Sequence, residues 1–486
     1  MNSRLVAVVP FSTALIFLLY YLFISPLFLY HNDIGWHLAA GDLIRSTGII
    51  PRTDPWSFTA SGSPWYLLSW LWDVLISYVY ARAGFIPLLI ATAAAGSAIL
   101  WLQATTAVRN GVGWIPFVIV FLIGGMGFPQ FSPPDVFLSI SPQVVTLLFI
   151  TLFQFLLLRS ERINSSKVTA IGLTALLLLW SNMHGGFVLG IVIVATFAAH
   201  ALVLGRTQNA AWLGAVCLFS ILLIGVANPL GWHIFHTVLG LLTSDSQRGI
   251  TEWQPVWERF SGGLASPAIA YLLLFPFALI GLLRSGRFLL PVLALALPLY
   301  VMAWLQIRYI SIFIVWSLPL VAFGLSQLSG RLSPIVNLRF RTITALTLFL
   351  VTAVLCRAIL HSQFPYEPEL PRVNWPKEEI AYLEAYHPDK NLFHPWNYGS
   401  FIIFQARGGL KPFIDGRAGS AYPLSLFENY NRFFQTRDWT EIIKTYNIRA
   451  ILWPKNENRL LPYFDASQGW EKAFEGTLAV VYVKQP

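Results

Sequence analysis

Charge is scarce in this sequence. Asp, Glu, Lys and Arg make up 11% of its 486 residues, where an ordinary soluble domain carries about 25%. Cysteine is scarcer: Cys217 and Cys356 are the only two, and each lies inside an apolar run. That excludes a disulfide framework and any cysteine-based metal motif. No P-loop, dinucleotide fingerprint, zinc motif or nucleophile elbow occurs, which argues against an ATPase or a soluble cofactor enzyme. Internal repeats and low-complexity segments are absent as well.

What fills the chain is apolar. Hydrophobic residues are 56% of it and the mean hydropathy is +0.61, the composition of an α-helical polytopic membrane protein. A spanning helix needs roughly 20 apolar residues. Runs of that kind fall at 5–29, 86–107, 112–128, 143–158, 168–183, 187–205, 210–227, 265–283, 288–304, 309–328 and 342–361. The first is too long for a signal-peptide core and lacks a small-residue cleavage site, so it reads as a retained helix.

The segment 66–82 is apolar but short, and it holds Asp73. Loop charge decides its placement. If it lies along the outer interface, then Arg109, Arg159, Arg162, Lys167, Arg206, Arg284, Arg287, Arg331, Arg339 and Arg341 share a side with Arg4. Glu161 alone joins them as an acid, while Asp33, Asp42, Asp54, Asp73, Asp135, Asp245, Glu252 and Glu258 face the opposite side. This is a positive-inside pattern, and it accounts for the net charge of +9 without a nucleic-acid partner. An Asp at the centre of a span would also cost about 2.5–3.5 kcal/mol. The sequence therefore predicts about eleven spans plus an interfacial helix, with Trp65, Trp70 and Trp72 at interfacial depth. The N-terminus is expected in the cytoplasm of a bacterial inner (plasma) membrane, with the C-terminal domain outside the cell.

Two domains are expected: a transmembrane domain over 1–361, with its first outer loop at 30–85, and an extracytoplasmic α/β domain over 362–486. In the latter, 376–387 and 436–446 read as helices, and 448–453 and 477–483 as buried strands.

Polar residues able to do chemistry gather on the outer side. Asp33 directly follows the first span and suits either a general base or the N-cap of a helix beginning near Gly35. His37, one turn on, either faces the same site or is an interfacial histidine. Asp54 before Pro55 reads first as a turn residue. WSNMHGGF (180–187) puts Asn182 and His184 at an outer helix end, where Gly185 and Gly186 would permit close approach. Asn228-Pro229 marks a turn, and Glu252 lies in the same outer loop. Arg308 is an outer-side cation, against the positive-inside trend; it suits a phosphate, or lipid headgroups. Asp415-Gly416-Arg417 follows a short strand and reads as a structural turn and ion pair more readily than as an acceptor site.

The spaced set Asp33, Trp36-His37, Gly41, Gly48, Pro51, Asp54-Pro55, Ser57-Phe58-Thr59, Pro64-Trp65 and Ser69-Trp70-Leu71 resembles the first outer loop of the bacterial GT-C-like membrane glycosyltransferases, of the dolichyl-phosphate-mannose mannosyltransferase type. WSNMHGG, NPLG, TEW and IDGR look like later landmarks of the same family. Asn32 stands where members often carry a second acid, and Ser141 stands before Pro142-Gln143 where they often carry Arg. The resemblance implies an inverting hexosyl- or pentosyltransferase. It would move a sugar from a polyprenyl-phosphate donor to a glycan, lipid or protein hydroxyl at the outer membrane face. Asp33 takes the base role, and His37, Asn182, His184 and Arg308 bind donor phosphate and sugar. No cofactor is certain; a divalent metal is left open but is not indicated, because the carboxylates do not cluster in sequence. The alternatives are a transporter of lipid-linked glycan and a non-catalytic assembly protein with this fold. Transport usually needs ionisable groups in mid-membrane, and the expected helix centres hold almost none.

Overall fold

The computed structural model describes residues 33–112, 139–163, 167–243, 251–258, 267–285, 290–328, 375–436, 439–456, 460–465 and 469–485, with single positions at 117, 120 and 123. The spans expected at 5–29 and 342–361, nearly all of that at 112–128, and the domain boundary at 361/362 lie outside these residues. The chain divides into two compact units.

The described part of the first unit is helical. It holds α3 (Ile86–Arg109), α4 (Gln143–Ile163), α5 (Lys167–Met183), α6 (Phe187–Val203), α7 (Thr207–Ala227), α9 (Pro267–Ser285), α10 (Leu290–Leu305) and α11 (Tyr309–Leu328). Each overlies an apolar run read from the sequence. Among the described residues, three helices are long and apolar enough to cross a membrane: Ile86–Arg109, Thr207–Ala227 and Tyr309–Leu328. The others are shorter apolar helices, so the count of eleven spans goes beyond what these residues carry. Leu218, Leu222 and Val226 of α7, and Leu273, Phe277 and Ile280 of α9, are exposed. Such apolar stripes at helical spacing suit lipid and not water.

Packing in this unit relies on small residues. A methyl on Gly324 would lie 2.8 Å from the Ala278 carbonyl carbon, and one on Gly281 would lie 2.7 Å from that of Gly324, so α9 and α11 approach backbone to backbone. Helix α11 also contains Pro319, which cannot donate to the carbonyl four residues back, that of Val315. The Gln103 amide on α3 donates to this carbonyl at 2.7 Å, and the Gln154 amide on α4 donates to that of Trp316 at 2.8 Å. Both glutamines are buried. Two neighbouring helices thus supply donors where the proline weakens the ladder, the remedy an apolar surrounding demands.

The second unit joins the first loop, the 228–251 connection and the tail. It contains α1 (Ile34–Thr47), α2 (Trp70–Ala83), α8 (His233–Thr243), α12 (Lys377–Tyr386), α13 (Gly399–Ala406), α14 (Leu424–Thr436), α15 (Thr440–Thr445) and α16 (Leu461–Asp465). Strands β1 (Leu392–Phe393), β2 (Ala450–Pro454), β3 (Trp470–Glu475) and β4 (Ala479–Lys484) form one sheet in the order β1-β2-β4-β3. The β1–β2 pair is parallel and the other two are antiparallel. Both expected strands and both expected helices of the tail are present. Helix α1 ends at Gly48, whose φ of +70° suits glycine. Helix α2 covers the expected interfacial segment.

One aromatic core serves both loop and tail. Trp36, Trp56 and Trp65 of the loop are buried in the same cluster as Phe393, Phe413, Tyr422, Phe433 and Trp453 of the tail. Trp65, expected at interfacial depth, is a core residue of this cluster: it is 1% exposed, edge-on to Trp56 at 5.4 Å. Glu379, at the start of α12, accepts from the Leu478 and Ala479 amides at 2.9 and 2.7 Å and fixes the turn into β4. His394 is fully buried; its Nε2 accepts from the Phe413 amide at 3.0 Å, and Nδ1–H donates to the Pro395 carbonyl at 2.9 Å.

Two outcomes follow from these contacts. Gln103→Leu costs about 1–3 kcal/mol by stranding a buried carbonyl, and most of that loss disappears in a Pro319→Ala background, where the helix regains its own donor. Thermal melts of the full chain in detergent measure it. For His394, burial pushes the imidazole pKa down to about 4 from the ordinary 6.5. The unfolded chain takes up the proton first, so stability is full above pH 6.5 and declines by about 3 kcal/mol as pH falls through the window to 4. His394→Gln, which keeps a donor and an acceptor but does not titrate, flattens that pH profile in the same melts.

Candidate functional site

The second unit gathers Asp33, His37, Asp54, Asp415 and Arg417, residues from opposite ends of the sequence. Their meeting is built on glycines. At the start of α1, a methyl on Gly35 would lie 2.6 Å from the carbonyl carbon of Ser400, which brings α1 onto α13. At the start of α13, a methyl on Gly399 would lie 2.7 Å from Cβ of Asp415. A methyl on Gly416 would lie 2.6 Å from Cγ and 3.2 Å from Oδ2 of Asp33. Three close approaches thus lock the start of α1, the start of α13 and the IDGR segment to one another.

Arg417 is fully buried, and each nitrogen of its guanidinium is engaged. Nη1 donates to Asp54 Oδ1 at 2.5 Å, Nε to Asp415 Oδ1 at 2.8 Å, and Nη2 to Asp415 Oδ2 at 2.7 Å and the Tyr422 hydroxyl at 3.1 Å. Its Cζ lies 5.0 Å from the centre of the Trp56 ring and 4.8 Å from that of Trp65, beside two ring faces that favour a cation. The Tyr422 hydroxyl donates to Asp415. Burial alone would raise the Asp415 carboxyl, but the Arg417 charge and these hydrogen bonds outweigh it and hold the pKa below the usual range. The same surroundings push the Tyr422 phenol up, through burial and then the Asp415 charge. Asp54 is also a turn residue: it accepts from the Trp56 amide at 3.0 Å and from the Ser57 amide and hydroxyl. The structural reading of Asp54, Asp415 and Arg417 matches their geometry.

His37 does not turn to Asp33 with its ring. Its Nδ1 lies 2.6 Å from Asp73 Oδ1, both groups are buried, and the ring stacks on Trp36 at 3.6 Å. Asp73, expected at an exposed interface, has no exposed surface and also accepts from the Ser69 hydroxyl. Burial pushes its carboxyl pKa up, against the opposing pull of His37 and Ser69. Asp33 holds the N-cap position of α1 but makes no side-chain cap bond. It is half-buried, with its carboxylate against Gly416.

The remaining candidates belong to the first unit. His184 Nδ1 lies 2.6 Å from the Thr146 hydroxyl and accepts from the Gly186 amide at 3.2 Å, while Trp180 Nε1 donates to the Thr146 oxygen at 3.1 Å. A backbone amide can only donate, so Nδ1 is the acceptor and Nε2 carries the proton of the neutral ring. The Asn182 amide donates to the Leu178 carbonyl of its own helix at 2.7 Å. Arg308 stacks on Trp253 at 5.0 Å, and its backbone amide donates to the Glu252 carbonyl at 2.9 Å. The TEW stretch and Arg308, separate in sequence, are thus brought together.

Among the described residues, no three His, Cys, Asp or Glu side chains gather as a metal site would require. Asp54 and Asp415, which share one guanidinium, spend their oxygens on Arg417, Ser57 and Tyr422. The described donor set does not fit a divalent metal, and no step is routed through one.

No family model and no curated protein matches this sequence. Solved structures do. ArnT from Cupriavidus metallidurans in the apo state matches with a TM-score of 0.54 and 12% identity, over 98% of this chain and 97% of that one. The Archaeoglobus fulgidus oligosaccharyltransferase, in complex with Zn and sulfate, matches with a TM-score of 0.51 and 15% identity, over 92% of this chain and 68% of that one. The chain has a GT-C-like fold. At such identities the likeness is one of fold, and site chemistry must be argued from residues.

Sequence reasoning missed Tyr422, Trp56 and Thr146. Tyr422 follows IDGR by five residues and Thr146 follows Pro142-Gln143 within one helical turn, so proximity to those landmarks was the available signal. Replacing Arg417 with Met leaves two buried carboxylates facing each other and destabilises the protein by about 3–5 kcal/mol. Arg417→Lys recovers little of this, because an ammonium cannot fork to both acids and Tyr422. Melts and protease resistance of the full chain measure both.

Proposed function

We propose that this chain is a membrane glycosyltransferase of the inverting type, using a polyprenyl-phosphate sugar as donor. The observation that carries the reading is Asp33. Within a GT-C-like fold it is a half-buried carboxylate at the head of α1, set against Gly416 of the IDGR segment, while Asp54, Asp73 and Asp415 lie within fully buried ion pairs. In the proposed reaction Asp33 takes the proton of an acceptor hydroxyl as the oxygen attacks the anomeric carbon. The sugar–phosphate C–O bond breaks, its electron pair leaves on the lipid phosphate, and the anomeric configuration inverts. The leaving phosphate is already a stable anion, so the reaction needs positive charge and donors where negative charge grows, more than a strong acid.

Arg308 suits that task, since stacking on Trp253 holds its cation in one orientation. His184 suits it as a neutral Nε2–H donor. The orientation follows the loop charges: N-terminus cytoplasmic, tail domain outside, about eleven spans. The acceptor is a hydroxyl of a glycan, lipid or protein, and the sugar a hexose or pentose.

Mass spectrometry of surface glycans, glycolipids and glycoproteins tests the reading. A deletion strain carrying the wild-type chain, Asp33→Asn or empty vector would be compared. One sugar is expected to vanish on deletion and to return only with the wild type. Full restoration by Asp33→Asn would make Asp33 a structural residue, and an unchanged glycan profile on deletion would remove the transferase reading.

A further inference from the structure

Gly416 is a glycine for a reason that its backbone does not supply. It is not among the glycines at positive φ, so an alanine would suit its conformation. What excludes a side chain is one group: all three nearest atoms to a methyl on Gly416 belong to the Asp33 carboxylate. The flanking residues cannot give way. Asp415 is packed against Gly399, and Arg417 is fixed by Asp54, Asp415 and Tyr422 beside two tryptophans.

From this we propose that Gly416 is a positioning residue for the Asp33 carboxylate. It is a rigid, side-chain-free seat whose stiffness comes from the Arg417 network and which sets where the carboxylate stands. The inference rests on the reading of Asp33 as the base. It assigns the IDGR segment a part in the reaction without contact to substrate. Arg417 braces the seat while its charge is spent on Asp54 and Asp415. A base displaced by about 1 Å loses on the order of 100-fold in rate, which is why a carboxylate that takes a proton benefits from a fixed wall.

A double-mutant cycle on the full chain in detergent tests the seat. Gly416→Ala is expected to lower Tm by about 1–3 °C, as an overpacked site does in a chain of this length. In an Asp33→Ala background the same substitution is expected to change Tm by less than about 1 °C, since the obstructing carboxylate is gone. If Gly416→Ala does not fold alone but folds with Asp33→Ala, the seat is supported as well. Equal losses in both backgrounds, no loss in either, or failure to fold in both would overturn it.

Sugar transfer in membranes tests the positioning. Gly416→Ala is expected to lower kcat about 100-fold with the donor KM within about twofold, and Asp33→Asn with Gly416→Ala to be no worse than Asp33→Asn alone. Wild-type kcat in Gly416→Ala would overturn the positioning role while leaving the transferase reading intact. If the wild type transfers no sugar, that reading fails and the positioning role with it, and the Tm cycle still decides the contact.

Discussion

A single buried cation organises the second unit. Arg417 reaches across 363 residues to Asp54 and across two to Asp415, with no exposed side-chain surface on any of the three. Burying these charges is expensive, and the cost is met only because the geometry is complete: a fork to two carboxylates, a phenol as third partner and two indole faces. Half of it would be a liability. This makes the arrangement a register device. The first loop and the tail must both be in place before either is stable, and the shared core of Trp36, Trp56, Trp65, Phe413 and Tyr422 closes around the result.

The first unit answers a different constraint. In an apolar surrounding every backbone group needs a partner, and a proline inside α11 removes one donor. Gln103 and Gln154 carry that burden from two other helices. They bind α3, α4 and α11 by the same bonds that satisfy the carbonyls, while Gly281 and Gly324 let α9 reach the same helix at backbone distance. Polar glue and small-residue contacts take the place that hydrophobic burial holds in the second unit, because lipid offers no hydrophobic reason for apolar helices to associate.

How much of this the sequence showed depends on the range of the interaction. Apolar runs are local, and the described helices of the first unit fell where the runs placed them. Strands β2 and β4, buried on a continuous apolar run, were legible for the same reason. Strand β3 was not: WEKAFE is an edge strand, largely exposed and interrupted by an irregular register between Lys472 and Phe474, so its pattern is neither apolar nor strictly alternating. The likeness of the first loop to a family loop pointed to its residues together, yet it could not sort them. Trp65 looked like an interfacial tryptophan because interfacial and core tryptophans are the same residue until a partner is known, and its partners Trp56 and Arg417 are set by the fold. Helical spacing put His37 one turn from Asp33 and left open whether it faces the same site or the interface. The winning partner, Asp73, came from the next helix, admitted by Gly41, on which a methyl would lie 2.6 Å from Ser77 Cβ.

The acids of the first loop show what the fold adds. Asp33, Asp42, Asp54 and Asp73 are indistinguishable as letters, and each stood on the expected outer side. Enclosure separates them. Asp54 is sealed by Arg417 and its own turn, and Asp73 by His37 and Ser69, so neither can meet an incoming hydroxyl without breaking a buried pair. Asp42 is exposed and paired only with Arg45 one turn on, at 3.5 Å, a contact worth little in water. Asp33 differs from all three. It is half-buried, with its carboxylate set against a glycine whose own backbone conformation does not require one. A carboxylate that must accept a proton from a substrate needs a fixed position, and a rigid wall supplies one. That seat appears once among these four, and it is a property of packing that no spacing in the sequence encodes.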